Sequence, residues 1–170
     1  ALKFVITLLF IIYFWRRYDI KWKISPLSFI AGILIFLVWV ISEDRYPMIL
    51  PESAYIPSSH LYFMVIRFLG SITIAPIVEE LFVRNFLNKI IISKDWKAVL
   101  TGRFTISSFV MTALFFGLSH SRWFPGIFAG VVLNLLLMRK RHISECIFAH
   151  FIANLCLGFY VVLTGSWQYW

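Results

Sequence analysis

Residues 61–88 read LYFMVIRFLGSITIAPIVEELFVRNFLN. The run is longer than the roughly 20 apolar residues that carry a helix across a hydrocarbon core of about 30 Å. It also holds Arg67, Glu79, Glu80 and Arg84, and Pro76 stands three residues before the first glutamate. A charge inside a membrane span costs about 2.5–3.5 kcal/mol on insertion scales, so such groups face a cavity or one another. Glu80 and Arg84 are spaced i,i+4 and can pair along one helix face. Neighbouring helix residues point about 100° apart, so Glu79 cannot share that role and stays the freer carboxylate. Pro76 has no N–H to donate and is expected to kink or break the helix there.

The surrounding sequence gives this segment its solvent. Of 170 residues, 61% are apolar, 19% are aromatic and only 14% are charged, and the mean hydropathy is +0.84. Soluble domains average roughly 45–50% apolar and about 25% charged residues. A water-soluble globule and a disordered chain are both excluded. The length suits one domain, residues 1–170, and the fold class is all-α: a polytopic transmembrane helix bundle. Six segments are expected: Leu2–Trp15, Pro26–Ser42, the kinked third from about Leu61 to Asn88, Phe104–His120, Trp123–Met138 and Ile143–Thr164. Residues 1–15 lack a small-residue cleavage site, and Arg16-Arg17 follow the apolar run, so they read as a membrane helix and not a signal peptide.

The basic residues sort by loop. Residues 16–25 carry four Lys or Arg, residues 89–103 four and residues 139–142 three; residues 42–60 and 121–122 carry one each, and the C-terminal tail none. By the positive-inside rule the first three loops face the cytoplasm, and loop 42–60 and the tail Gly165–Trp170 face outward. The net charge of +8 is therefore a membrane signature and does not point to nucleic acid. Trp15, Trp22, Trp123, Trp167 and Trp170 flank the spans as interfacial anchors do. Cys146 and Cys156 lie ten residues apart in one segment, about 15 Å along a helix, too far for a disulfide.

Few polar residues remain inside the spans. His60 and His142 sit in polar loops and read as solvated. His120 ends the fourth segment, with Phe116 at i−4. His150 lies inside the sixth, with Asn154 at i+4 on the same face. A carboxylate, two imidazoles and an amide on three spans are the groups that activate water and stabilise an oxyanion. The set fits amide hydrolysis without an acyl-enzyme, with Glu79 taking a proton from water positioned by His120. His150 and Asn154 would hold the oxyanion. Ser119 and Ser121 lack the strained elbow of a serine hydrolase, and Ser71 and Ser107 have no evident base. Other readings stay open: a zinc site from Glu79, His120 and His150, without the H-E-x-x-H spacing; a proton-relay transporter; and a non-catalytic immunity or scaffold protein of a secretion system. Depth counts against the catalytic set. Glu79 and His150 fall toward the inner half of the bilayer, whereas His120, about 24 Å along its span, falls toward the outer face.

Three motifs occur in order: Glu79-Glu80-Leu81-Phe82-Val83-Arg84, Phe116-Gly117-Leu118-Ser119-His120 and His150-Phe151-Ile152-Ala153-Asn154. With them the chain resembles the CAAX protease and bacteriocin-processing family, also called the ABI family, of intramembrane proteases. The resemblance spans about Leu61–Leu157, and Pro76 and Gly130 fit its pattern. It implies cleavage of a peptide bond in or beside the membrane, in a CAAX-like or other lipid-adjacent substrate. It implies catalytic roles for Glu79, His120, His150 and Asn154, and supporting roles for Glu80, Arg84 and Phe116. It implies no cofactor, with zinc as the older alternative, and residence in a bacterial inner membrane. The C-terminal residues resemble a subgroup associated with exosortase systems. Type II CAAX endopeptidases typically have eight spans, two more than are read here.

Overall fold

The computed structural model describes residues 6–7, 9, 11–13, 20–49 and 61–169. Among these it is helical, with no strand. Of the expected first segment, the described residues between 6 and 13 are helical, and the rest lies outside the described residues, as do His60, Pro51, Pro57 and Trp170. Five helices follow. We number them α1 (Pro26–Ile41), α2 (Leu61–Ile92), α3 (Ile106–Leu118), α4 (Trp123–Lys140) and α5 (Ile143–Thr164). By length and composition α2, α4 and α5 suffice to cross a membrane, while α1 and α3 are shorter apolar helices of 16 and 13 residues. Large apolar side chains cover the outer surface, including Phe29, Ile30 and Leu34 on α1 and Met111, Leu114 and Phe115 on α3. An apolar exterior of that extent belongs in lipid, where burying hydrocarbon gives no reward.

The helix ends follow from local sequence. Pro26 opens α1 with its φ already helical. Thr105 and Ser108 form a reciprocal cap at the start of α3, with Ser108 N–H donating to Thr105 Oγ1 at 3.1 Å and Thr105 N–H to Ser108 Oγ at 2.9 Å. Arg141 and Gly165, both at positive φ, end α4 and α5. Ser25 does not cap its own helix. Its N–H and hydroxyl both donate to Glu145 Oε2, at 3.1 and 2.8 Å, which ties the foot of α1 to that of α5.

The helix α2 runs through Pro76 without a break for 32 residues. It accommodates the proline by winding wide: Gly70–Ile74 is a π turn, and so is Leu81–Leu87 beyond the glutamates.

Small residues set the packing. A Cβ on Gly130 of α4 would lie 2.9 Å from both Cα and O of Ala113 on α3, and one on Gly126 would lie 2.9 Å from Gly117 Cα. Gly126 and Gly130 form a small-xxx-small stripe that brings the two backbones together. Between the same helices Asn134 donates to the Phe109 carbonyl at 3.1 Å and to Thr112 Oγ1 at 2.9 Å. Gly32 plays the matching part on α1, where a Cβ would meet the Ala149 carbonyl oxygen of α5 at 2.5 Å. Gly130→Leu is therefore expected to force α3 from α4, at about 1–3 kcal/mol or more for overpacking. Thermal unfolding in detergent should show a Tm several degrees lower, while Leu135→Ala on the lipid-facing side of α4 should leave it nearly unchanged.

Candidate active site

The arrangement is best built from α2. Past Pro76 its two glutamates diverge. Glu80 and Arg84 turn inward and are fully buried, with Arg84 Nη1 donating to Glu80 Oε1 at 3.3 Å. Arg84 Nη2 reaches the Gly130 carbonyl at 3.4 Å, and its guanidinium lies 4.3 Å over the Phe116 ring. The same Glu80 Oε1 sits 3.0 Å from His150 Nδ1. A charge pair removed from water needs this many partners to hold its place. The i,i+4 pairing read from sequence is present, and tertiary structure adds His150 to it.

Glu79 faces the other way, into a cavity of about 180 Å³ lined also by Trp39, His120, His150, Asn154 and Tyr169. Its Oε2 is buried, accepts no hydrogen bond among the described residues, and stands 3.9 Å from His120 Nε2. That gap is too long for a direct hydrogen bond and is of the size a bridging water fills.

The depth mismatch expected from sequence does not occur. α3 has only 13 residues and rises roughly 20 Å from the same end of the bundle at which α2 finishes. Glu79 stands 13 residues before that finish at Ile92, also about 20 Å up. The sequence reading sets Glu79 too low: counted back from the end of α2 it stands at the height where the short α3 stops.

The tautomer of His120 follows from its neighbour. Nδ1 is 2.7 Å from the Phe116 carbonyl, which can only accept, so Nδ1 carries the proton and Nε2 presents a lone pair when the ring is neutral. Ser119 Oγ donates to the same carbonyl at 2.8 Å. Trp39 and Phe116 hold the ring from two sides, with centroids 5.6 and 5.0 Å away. Phe116 also meets the His150 ring edge-to-face at 5.6 Å. The Phe-x-x-x-His spacing thus has a physical content: one residue supplies the carbonyl that sets the tautomer and the ring that separates Arg84 from the two histidines.

Asn154 donates from Nδ2 to the Ser71 carbonyl at 2.7 Å. That carbonyl is free because of Pro76. In the π turn the Ala75 N–H goes back five residues to Gly70, bypassing Ser71. The next nitrogen, five residues beyond Ser71, is Pro76, which has no hydrogen. The Ser71 carbonyl needs a partner from another helix, and because it only accepts, it fixes which end of the Asn154 amide faces it. The sequence signal for this acceptor is the proline. The Ser71 hydroxyl itself donates to the Phe68 carbonyl at 2.8 Å.

All four residues singled out for chemistry therefore line one cavity together with Phe116, and Glu80 and Arg84 form the packed layer beside it. Among the described residues no three His, Cys, Asp or Glu side chains gather closely enough to hold a metal ion. Glu79 and His120 approach each other, and His150 is held from Nδ1 by Glu80. Cys146 and Cys156 are free thiols, and Cys146 Sγ lies 3.3 Å from the Leu133 carbonyl. His142 is a half-buried residue at the foot of α5, away from the cavity. Sequence reading passes over Trp39 and Tyr169, since an aromatic residue near a span end looks the same as any interfacial anchor.

Residues 60–156 match the family described as type II CAAX prenyl endopeptidase Rce1-like. The chain belongs to that family. No curated protein and no solved structure matches it. The matched residues contain Glu79, Glu80, Arg84, Phe116, His120, His150 and Asn154. Members of the type II CAAX prenyl endopeptidase family are proteases, so the chain is a hydrolase with a peptide substrate and an integral membrane protein.

Proposed function

We propose that this protease cleaves its substrate with a water held between Glu79 and His120, while His150 and Asn154 polarise the scissile carbonyl. The observation that carries the reading is the 3.9 Å separation of Glu79 Oε2 and His120 Nε2 at one wall of a shared cavity. Both atoms accept, so a single water donating one hydrogen to each is oriented by both. Glu79 takes a proton, the water oxygen bonds to the carbonyl carbon, and the carbonyl π pair moves onto its oxygen. Collapse breaks the C–N bond, and Glu79 passes its proton to the leaving amine. The products are a carboxylate terminus and a free amine.

His150 and Asn154 face that oxygen from one helix, spaced i,i+4. Asn154 has one N–H on Ser71 and a second available. His150 donates from Nδ1 to Glu80, so donation from Nε2 requires the doubly protonated ring, with Glu80 as counter-ion. A cavity of about 180 Å³ is smaller than the roughly 300–1,000 Å³ of small-molecule sites. It admits the scissile linkage and leaves the rest of the substrate, lipidated or not, outside. We place the protein in a bacterial inner membrane, with loops 16–25, 89–103 and 139–142 in the cytoplasm.

The test is to sequence the N termini of membrane polypeptides in cells expressing the wild type or Glu79→Gln. New termini that appear only with the wild type support hydrolysis and supply the substrate. Identical profiles sink it. On that substrate, cleavage by purified protein is expected to persist in excess EDTA and 1,10-phenanthroline; loss that zinc restores would overturn the metal-free mechanism.

A further inference from the structure

We infer that Tyr169 is a specificity-determining residue of this active site: its ring forms a wall of the catalytic cavity and limits the size of the substrate group beside the scissile bond, and Arg122 seats that ring. The size limit is a property of the cavity; that it acts on a peptide substrate rests on the proposed hydrolysis. The cavity has two kinds of lining. Glu79, His120, His150 and Asn154 supply polar groups, and Phe36, Trp39 and Tyr169 supply aromatic faces. Trp39 and Tyr169 both lie outside residues 60–156, the stretch that matches the family. The catalytic set and these two walls thus come from different parts of the chain.

Tyr169 reaches the cavity because the tail turns back. Gly165, at positive φ, ends α5, and Trp167–Tyr169 form a short 3₁₀ turn in which Tyr169 N–H donates to the Ser166 carbonyl at 3.3 Å. The ring then meets the Tyr160 ring of α5 edge-to-face, with centroids 5.9 Å apart, and Tyr160 meets Phe36 of α1 in the same way at 6.2 Å. The Arg122 guanidinium lies 4.7 Å over the Tyr169 ring. Arg122 is itself held, because Nε and Nη2 each donate to the Glu43 carboxylate at 2.8 Å. A planar cation locked by a carboxylate is a rigid seat for an aromatic face. The ring, and not the hydroxyl, is what the cavity receives. Burial, with the Glu43 carboxylate second, pushes the Tyr169 hydroxyl up to about 12, so it stays neutral. The other groups that act on it are Tyr160, Arg122 and Asp44, and neither they nor Glu43 line the cavity. A cavity of about 180 Å³ leaves little room beyond the scissile linkage. An aromatic side chain presents roughly 150–250 Å², so one ring decides much of what fits beside that linkage.

Two measurements on purified protein in detergent test it, and the first needs no substrate. In a Cys156→Ala background, which keeps only the buried Cys146, Leu157→Cys places a thiol in the cavity lining. N-ethylmaleimide should react with it faster than pyrenyl maleimide. Adding Tyr169→Ala should raise the rate of the bulky reagent relative to the small one by about tenfold, the low end of what a small size change in an apolar pocket discriminates. Tyr169→Leu, which keeps apolar packing where Tyr169→Ala lowers the Tm, should raise it by less, and Tyr169→Phe should leave it unchanged. An unchanged ratio in Tyr169→Ala and Tyr169→Leu overturns the wall, as does an equal rise in Tyr169→Phe or a thiol that neither reagent reaches. Arg122→Gln leaves the ring present but unseated and should also raise the ratio; a wild-type ratio there removes Arg122 from the wall. The second measurement uses the substrate found by terminal profiling, with each residue flanking the scissile bond changed in turn to Leu or Trp. At one flank Tyr169→Ala should raise kcat/KM for Trp over Leu by about tenfold. An unaltered preference at both flanks overturns the substrate contact. Failure of the hydrolytic reading would instead appear as no Glu79-dependent termini, with the labelling ratio still raised by Tyr169→Ala.

Discussion

Glu79→Gln should lower kcat by about 10³–10⁴-fold with little change in KM. A positioned general base contributes roughly 10²–10⁴-fold, and the upper part of that range applies because no second carboxylate among the described residues lines the cavity. Glu80 is the nearest, one residue along, but it is fully buried and engaged by Arg84 and His150. Gln keeps the volume and removes the charge and the basicity. Glu79 Oε2 accepts no protein hydrogen bond, so the substitution strands no partner and expression and Tm should match the wild type. Measuring kcat on the substrate found by terminal profiling checks this. Activity within tenfold of the wild type would remove Glu79 from the mechanism.

Asn154→Ala and Asn154→Leu should each cost about 10²–10³-fold in kcat, the usual loss on removing one oxyanion donor. The change separates catalysis from stability, because the Ser71 carbonyl left behind lies on a π turn at the cavity wall, within reach of water. Pro76→Ala is the companion variant. It gives residue 76 an N–H that can bond the Ser71 carbonyl within α2. Asn154 then loses its fixed partner, and kcat should fall by less than for Asn154→Ala. If Pro76→Ala keeps full activity while Asn154→Ala loses it, Asn154 acts without that anchor. If both keep full activity, the amide is structural.

Much of this site is legible in the amino-acid sequence. Glu79, Glu80 and Arg84 stand out because a charge in lipid demands a reason. Glu80–Arg84 follows from helix spacing alone, as does His150 with Asn154. What spacing cannot supply is a relation between helices. Glu80 with His150, Arg84 with the Gly130 carbonyl and Asn154 with the Ser71 carbonyl each join residues far apart in the chain. Height escapes the sequence for a similar reason. Hydropathy shows where an apolar run begins and ends, but not that α3 stops after 13 residues and sits beside longer neighbours. Pro76 reads in sequence as a helix breaker; its consequence in the fold is a carbonyl released toward another helix.

By itself the sequence determined the solvent and the helical class. Both depend on composition along one segment: hydrocarbon forbids unpaired backbone groups. Only the tertiary structure decided that Glu79 and His120 share a cavity and that Glu80 is held away from it. These depend on how closely helices approach, which Gly32, Gly126 and Gly130 set through contacts with residues on other helices.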